Sequence, residues 1–161
     1  MNIKIFMLII FTGFFMQIAR TQELIPIGRI DPASNQISVV AQESFLKSAF
    51  ERRLGNDGAT ASDFRFVWGT DGSNSKYLIV ASVKNDPEKI NSIAWELQRS
   101  GNDLVIERGG PAMEHSCSGD PCESCLQKLT GRLEVICDCL HCHGCQKPRC
   151  NHQVTVVLSA F

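Results

Sequence analysis

The first 114 residues contain neither histidine nor cysteine. That absence removes from most of the chain the side chains that usually hold transition metals or build nucleophile–base pairs. A glycine-rich phosphate loop, a Gly-x-Ser-x-Gly elbow and a His-Glu-x-x-His helix are also missing. The signatures of P-loop nucleotidases, α/β-hydrolases and zinc proteases are thereby excluded. There is no Asn-x-Ser/Thr sequon, so N-glycosylation is not expected. Charge of one sign is lacking too, since 16 basic residues face 17 acidic ones, a formal net charge of −1. Such a balance sets up no field to attract nucleic acid or an anionic membrane, and neither is expected as a partner. The acids Asp57, Asp63, Asp71, Asp86 and Glu88 fall mostly at turn signals and read as solvated turn residues.

Aromatic residues run out early. After Trp95 only Phe161 remains, whereas Phe45, Phe50, Phe64, Phe66, Trp68 and Tyr77 precede it. All eight cysteines and all four histidines lie between His115 and His152. The earlier stretch can therefore build an ordinary apolar core, and the later one needs another staple. No apolar run reaches the ~20 residues a bilayer span requires. Ile5 to Met16 is the longest, preceded by Lys4 and followed by Ala19-Arg20-Thr21. This is the layout of a secretory signal peptide with cleavage near Gln22. The mature chain is expected to be secreted or periplasmic, with no membrane span.

The periodicities predict an α+β protein. Phe45, Leu46, Ala49, Phe50 and Leu54 recur at helical spacing over residues 39–54, and Gly55 follows as a cap. Phe64, Phe66 and Trp68 alternate as in a strand, and Asp71-Gly72-Ser73-Asn74 reads as a turn. Tyr77 to Val83 is apolar on both faces and reads as a central strand; Ile93 to Leu97 and Leu104 to Glu107 follow. The expected architecture is one N-terminal amphipathic helix packed on a four-strand antiparallel meander, with the helix over Phe64, Phe66, Trp95 and Leu97. Gly109-Gly110-Pro111 marks a joint. The domain expectation is signal peptide 1–22, α+β domain 23–110, and a cysteine-rich subdomain 111–161. That subdomain would hold a hairpin around Gly131 and a terminal strand through Val154, Val156 and Leu158 that covers a sheet edge.

Three readings compete for Cys117, Cys122, Cys125, Cys137, Cys139, Cys142, Cys145 and Cys150. An even count in a short segment behind a signal peptide favours disulfides. Cys137 and Cys139 share one face of a strand and are not expected to bond each other; the connectivity otherwise stays open. The second reading is zinc or copper held by Cys137, Cys139, Cys142, Cys145, His141 and His143, because Cys122-x2-Cys125 and Cys139-x2-Cys142 have zinc-knuckle spacing. The third is thiol–disulfide exchange at Cys142-His143-Gly144-Cys145, although Gln146-Lys147-Pro148 is a poor start for the helix such motifs open. His115 and His152 read as ordinary surface histidines.

The runs Cys117-Ser118-Gly119-Asp120-Pro121-Cys122-Glu123-Ser124-Cys125 and Cys150-Asn151-His152-Gln153-Val154-Thr155 resemble the tails of small cysteine-rich secreted proteins of Bacteroidota-type bacteria. The resemblance implies a secreted accessory protein and carries no activity with it. The functional expectation is a disulfide-stabilised, non-enzymatic binding or structural module without a cofactor, whose partner is a protein or a glycan.

Overall fold

A computed structural model of the chain describes residues 22–55, 58–86, 88–119, 122, 124–141, 150–159 and 161. Its centre is a run of long antiparallel strands, β3 (Thr60–Asp71), β4 (Asn74–Lys84) and β5 (Ile90–Ser100), followed by β6 (Asp103–Glu107). The β3–β4 turn is tight because Gly72 takes φ 60°, which places a glycine at the first corner of a two-residue hairpin. On one side β5 pairs with β4. On the other it divides: Ile90–Trp95 pairs with β7 (Pro111–Gly119), and Gln98–Ser100 pairs with β6. The sheet bends where β5 changes partner. Beyond β6 come β1 (Leu24–Ile30) and β2 (Ile37–Val39), and beyond β7 comes β10 (Cys150–Leu158). The result is an eight-stranded sheet curled into a nearly closed antiparallel barrel.

The α+β expectation is overturned. The described residues form ten strands and one helix, α1 (Glu43–Leu54). The strands that periodicity missed are β1, β2 and β7. Pro26 and Gly28 are poor strand formers, and the register of β1 shifts between them; such residues are tolerated at a bulge. β2 is only three residues long and lies where the helical pattern was expected to begin. β7 starts with a proline and is largely polar, yet it pairs along its length with β10 and for half of it with β5. Long-range pairing decided these strands, and local propensity was a weak guide.

The barrel interior is filled from both walls and plugged at one end by α1. Phe50 of the helix stacks on Trp95 with ring centroids 4.3 Å apart, and Phe161 meets Trp95 edge-on at 4.8 Å. Phe64 packs on Phe50 from the other side. Trp95 is fully buried, and its indole N–H donates to Glu114 Oε2 at 2.9 Å, while Arg53 on α1 pairs with Glu114 Oε1 at 2.9 Å. Glu114 is buried yet satisfied on both oxygens, and it ties the helix to the sheet. Across the barrel, the Phe66 ring of β3 rests against Gly28 of β1, where a Cβ has no room.

The outer face of β4 and β5 is apolar as well. Leu78, Val80 and Ala94 are fully buried there beneath Val135 and Leu129. Those two belong to a separate hairpin of β8 (Ser124–Leu129) and β9 (Val135–His141). It presses closely enough that Leu133 and Leu129 crowd Gly69 of β3.

Replacing Gly28 by alanine inserts a methyl group into the Phe66 ring. The expected cost is about 1–3 kcal/mol of overpacking, read as a lower urea midpoint with an unchanged slope.

Candidate functional site

The cysteines hold the hairpin to the barrel. Cys117 of β7 bonds Cys137 of β9, Cys125 of β8 bonds Cys150 of β10, and Cys122, just ahead of β8, bonds Cys139 of β9. The Cα–Cα distances of 5.7, 5.8 and 6.1 Å suit a disulfide. Cys125 and Cys139 face each other in the hairpin register, yet each bonds elsewhere. Cys137 and Cys139 likewise take separate partners. Gly119 lies against Cys125 and Cys122, and a side chain there would collide with both. Polar contacts reinforce the clamp: Ser92 Oγ donates to the Cys125 carbonyl, and Gln127 Nε2 donates to the His115 carbonyl at 3.0 Å. Six of the eight expected cysteines are thereby placed in bridges; Cys142, His143 and Cys145 lie outside the described residues, and His141 ends β9.

The sulfurs of Cys122, Cys125 and Cys150 also lie within 4.8 Å of one another. This is not the set expected from spacing. A metal needs thiolates, and these three atoms belong to the Cys122–Cys139 and Cys125–Cys150 bridges. Metal and disulfide are therefore alternative states of the same sulfurs. Bridges of this kind persist in an oxidising, extracytoplasmic setting.

Beside the clamp runs a line of titratable groups. Lys76 Nζ and His115 Nε2 both meet Glu96 Oε1, at 2.9 and 2.8 Å. With its Nε2–H given to Glu96, His115 presents Nδ1 as an acceptor, and His152 Nε2 lies 3.0 Å from it. The two rings are within 15° of parallel. The hydrogen bond from His115, helped by Lys76, holds the Glu96 carboxyl below its usual range against the opposing effect of burial. Burial, and after it the electrostatic effect of the neighbouring His115 ring, push His152 down. His115 is thus a buried structural histidine and not the surface residue its sequence context suggested.

The opposite side of the barrel is open. The sheet branches at β5: β7 and β10 form one arm, while the run β3-β4-β5-β6-β1-β2 forms the barrel wall and ends at β3 and β2, which no hydrogen-bonded pairing joins among the described residues. At the end away from α1 lies a hollow of about 310 Å³, lined by Ile37, Trp68 and Tyr77 with Asn35, Thr70 and Arg99 as polar neighbours. Trp68 is 45 % exposed. A second hollow of about 310 Å³ lies nearer the helix, between Val39, Leu46 and Phe64. Val39 and Val40 are also exposed on this side. The sequence marks Trp68 only as the third aromatic of an alternating strand and not as a residue of the rim; the Asp71-Gly72-Ser73-Asn74 turn, three residues on, was the available signal.

No family model, curated protein or solved structure matches the chain, so its function is read from this geometry alone.

Two measurements test the clamp and the histidine line. Replacing Cys117 and Cys137 together by serine removes a bridge across 20 residues and is expected to cost about 3 kcal/mol in chemical denaturation. Acidification is expected to weaken the fold in two steps. His152 has a folded pKa below its ordinary 6.5, so its contribution is complete above that pH and is lost as the pH falls toward the folded value. Glu96 is depressed below 4.5, so its contribution is complete above 4.5 and disappears at lower pH. The variant His152→Gln is expected to lose the first step and keep the second, as followed by urea midpoints between pH 3 and 8 (about one point per half unit).

Proposed function

We propose that this chain is a secreted, disulfide-stabilised, non-enzymatic binding module whose recognition face is the open side of the barrel. The observation that carries the reading is Trp68, a large aromatic side chain left 45 % exposed in a concave hollow beside Tyr77. The core does not require it, because Trp95 and Phe50 already fill the interior. Aromatic surface rimmed by hydrogen-bonding groups such as Asn35, Thr70 and Arg99 is the usual make-up of a ligand site. The clamp supports the same reading. It stiffens the far wall of the barrel, and a stiff scaffold lowers the ordering cost of binding. The signal-peptide layout and the three bridges support an extracytoplasmic location. The line from Glu96 to His152 supports a structural role: its partners are hydrogen-bonded to one another, and no hydroxyl or thiol nucleophile is among them.

The metal reading rests on the Cys122, Cys125 and Cys150 sulfurs. It requires two bridges to be open, and zinc added to the oxidised protein is expected not to bind stoichiometrically.

The test of the recognition face is a comparison of the wild-type protein with Trp68→Ala on glycan and peptide arrays, with thermal melts as the folding control. The expected result is binding that falls at least about tenfold in the variant, equivalent to 1.4 kcal/mol, with an unchanged melting temperature. Turnover of any array member, or binding indifferent to Trp68, sinks the proposal.

A further inference from the structure

We infer that the ligand of this open side is an extended peptide segment that adds to the free edge of β3 and carries an acidic side chain opposite Arg65. The inference rests on the recognition face proposed above and names its occupant.

The edge comes first. β3 is twelve residues long and, among the described residues, pairs with β4 alone. α1 covers the beginning of its other edge, where the Ala61 N–H donates to Glu51 Oε1 at 3.3 Å. From Arg65 to Asp71 no strand or helix pairs with that edge among the described residues. The two-residue turn makes Asp71 and Asn74 a hydrogen-bonded pair, and the antiparallel alternation then fixes the rest. Gly69, Val67 and Arg65 spend their backbone groups on β4. Phe66, Trp68 and Thr70 turn their N–H and C=O groups outward. An extended peptide is the ligand whose own backbone satisfies such a row, and native proteins rarely leave a strand edge of this length bare.

The side-chain chemistry on the two faces of β3 narrows the peptide. The inner face offers the Trp68 hollow. The outer face borders a groove of about 360 Å³ between β3 and the hairpin, lined by Arg65, Val67, Leu126 and Leu140. Lys128 and Asp138, also on this groove, sit 3.8 Å apart and answer each other's charge. Arg65 has no such partner among the described residues: its Nη2 is buried without a hydrogen bond, and desolvation lowers its pKa. The register shift between Ser62 and Arg65, with Asp63 at φ 53°, is what puts Arg65 on this face. Bulges commonly re-aim a side chain next to a binding site. A half-buried cation facing an apolar groove calls for a carboxylate brought by the ligand. Because neighbouring residues of an added strand point to opposite faces, the peptide has a pattern. It places an apolar side chain opposite Trp68 and an acid opposite Arg65, three positions apart.

The test uses fluorescein-labelled peptides of alternating valine and threonine carrying one glutamate, with a valine three positions from it. Their binding to the full oxidised protein is followed by anisotropy. A lysine-for-glutamate peptide and a peptide N-methylated at alternate amides serve as comparators. The glutamate peptide is expected to bind about tenfold tighter than the lysine peptide, and N-methylation is expected to abolish binding. Arg65→Gln is expected to erase the glutamate preference without altering the melting temperature. Thr70→Pro places a ring on the outward edge, away from the β4 hydrogen bonds, and is expected to block all the peptides. If methylated and unmethylated peptides bind alike, or Arg65→Gln keeps the preference, the inference is overturned. Trp68-dependent binding to a glycan with none to the peptides overturns it too, while leaving the recognition face standing. Absence of any Trp68-dependent ligand overturns both.

Discussion

Everything in this structure depends on keeping water off the outer face of β4 and β5. Leu78, Val80 and Ala94 are as completely buried as the barrel interior, but among the described residues the barrel itself adds just Val67 of β3 to their packing. The β8–β9 hairpin covers them, and a two-stranded hairpin is not stable on its own in water. Its apolar contribution is small, with Val135 and Leu129 the main contacts. The three bridges supply what the contact area does not. They join both hairpin strands, and the segment leading into β8, to β7, β9 and β10, so the lid cannot leave while they are intact. Sheet, lid and cross-links form one dependency: the outer face needs the lid, and the lid needs the sulfurs.

The molecule is consequently asymmetric. One wall of the barrel is covered, cross-linked and threaded by the Lys76, Glu96, His115 and His152 line. The other wall is incomplete, with β2 and β3 unjoined and Trp68 at the rim. The strands on either side of the opening are neighbours in sequence, separated by α1. A helix occupies the connection where a tight turn would have let the two strands pair. Phe50 and Leu46 then belong to the interior, and the barrel closes around the helix instead of on itself.

Much of this was legible in the sequence, and the failures have physical causes. The helix from Glu43 to Leu54 was visible because apolar spacing and Gly55 agreed, and Gly55 does adopt φ 65°. The two-faced apolar run from Tyr77 to Val83 announced a strand covered on both sides, although nothing local named its outer cover. β1 and β7 were hidden because their pairing energy comes from residues far along the chain, while Pro26, Gly28 and Pro111 argue against strands locally. That disulfides would form was readable from an even number of cysteines crowded into a short segment. Their pairing was not, since Cys125 and Cys139 are register neighbours that bond elsewhere. The site was least legible of all. Neither Trp68 nor Arg65 departs from an ordinary alternating strand until the register shift at Ser62–Arg65 and the unpaired edge of β3 are seen together.

The bridges also determine how the chain bears load. They interleave along the sequence, joining 117 to 137, 122 to 139 and 125 to 150. Under tension a covalent shortcut therefore runs from Cys117 across to Cys137, along to Cys139, across to Cys122, along to Cys125 and across to Cys150. Backbone length is locked away between Cys117 and Cys150 and cannot be paid out while the sulfurs stay joined. A partner pulling on the open side would meet the non-covalent barrel strands first, with the stapled wall as the anchor they are pulled from.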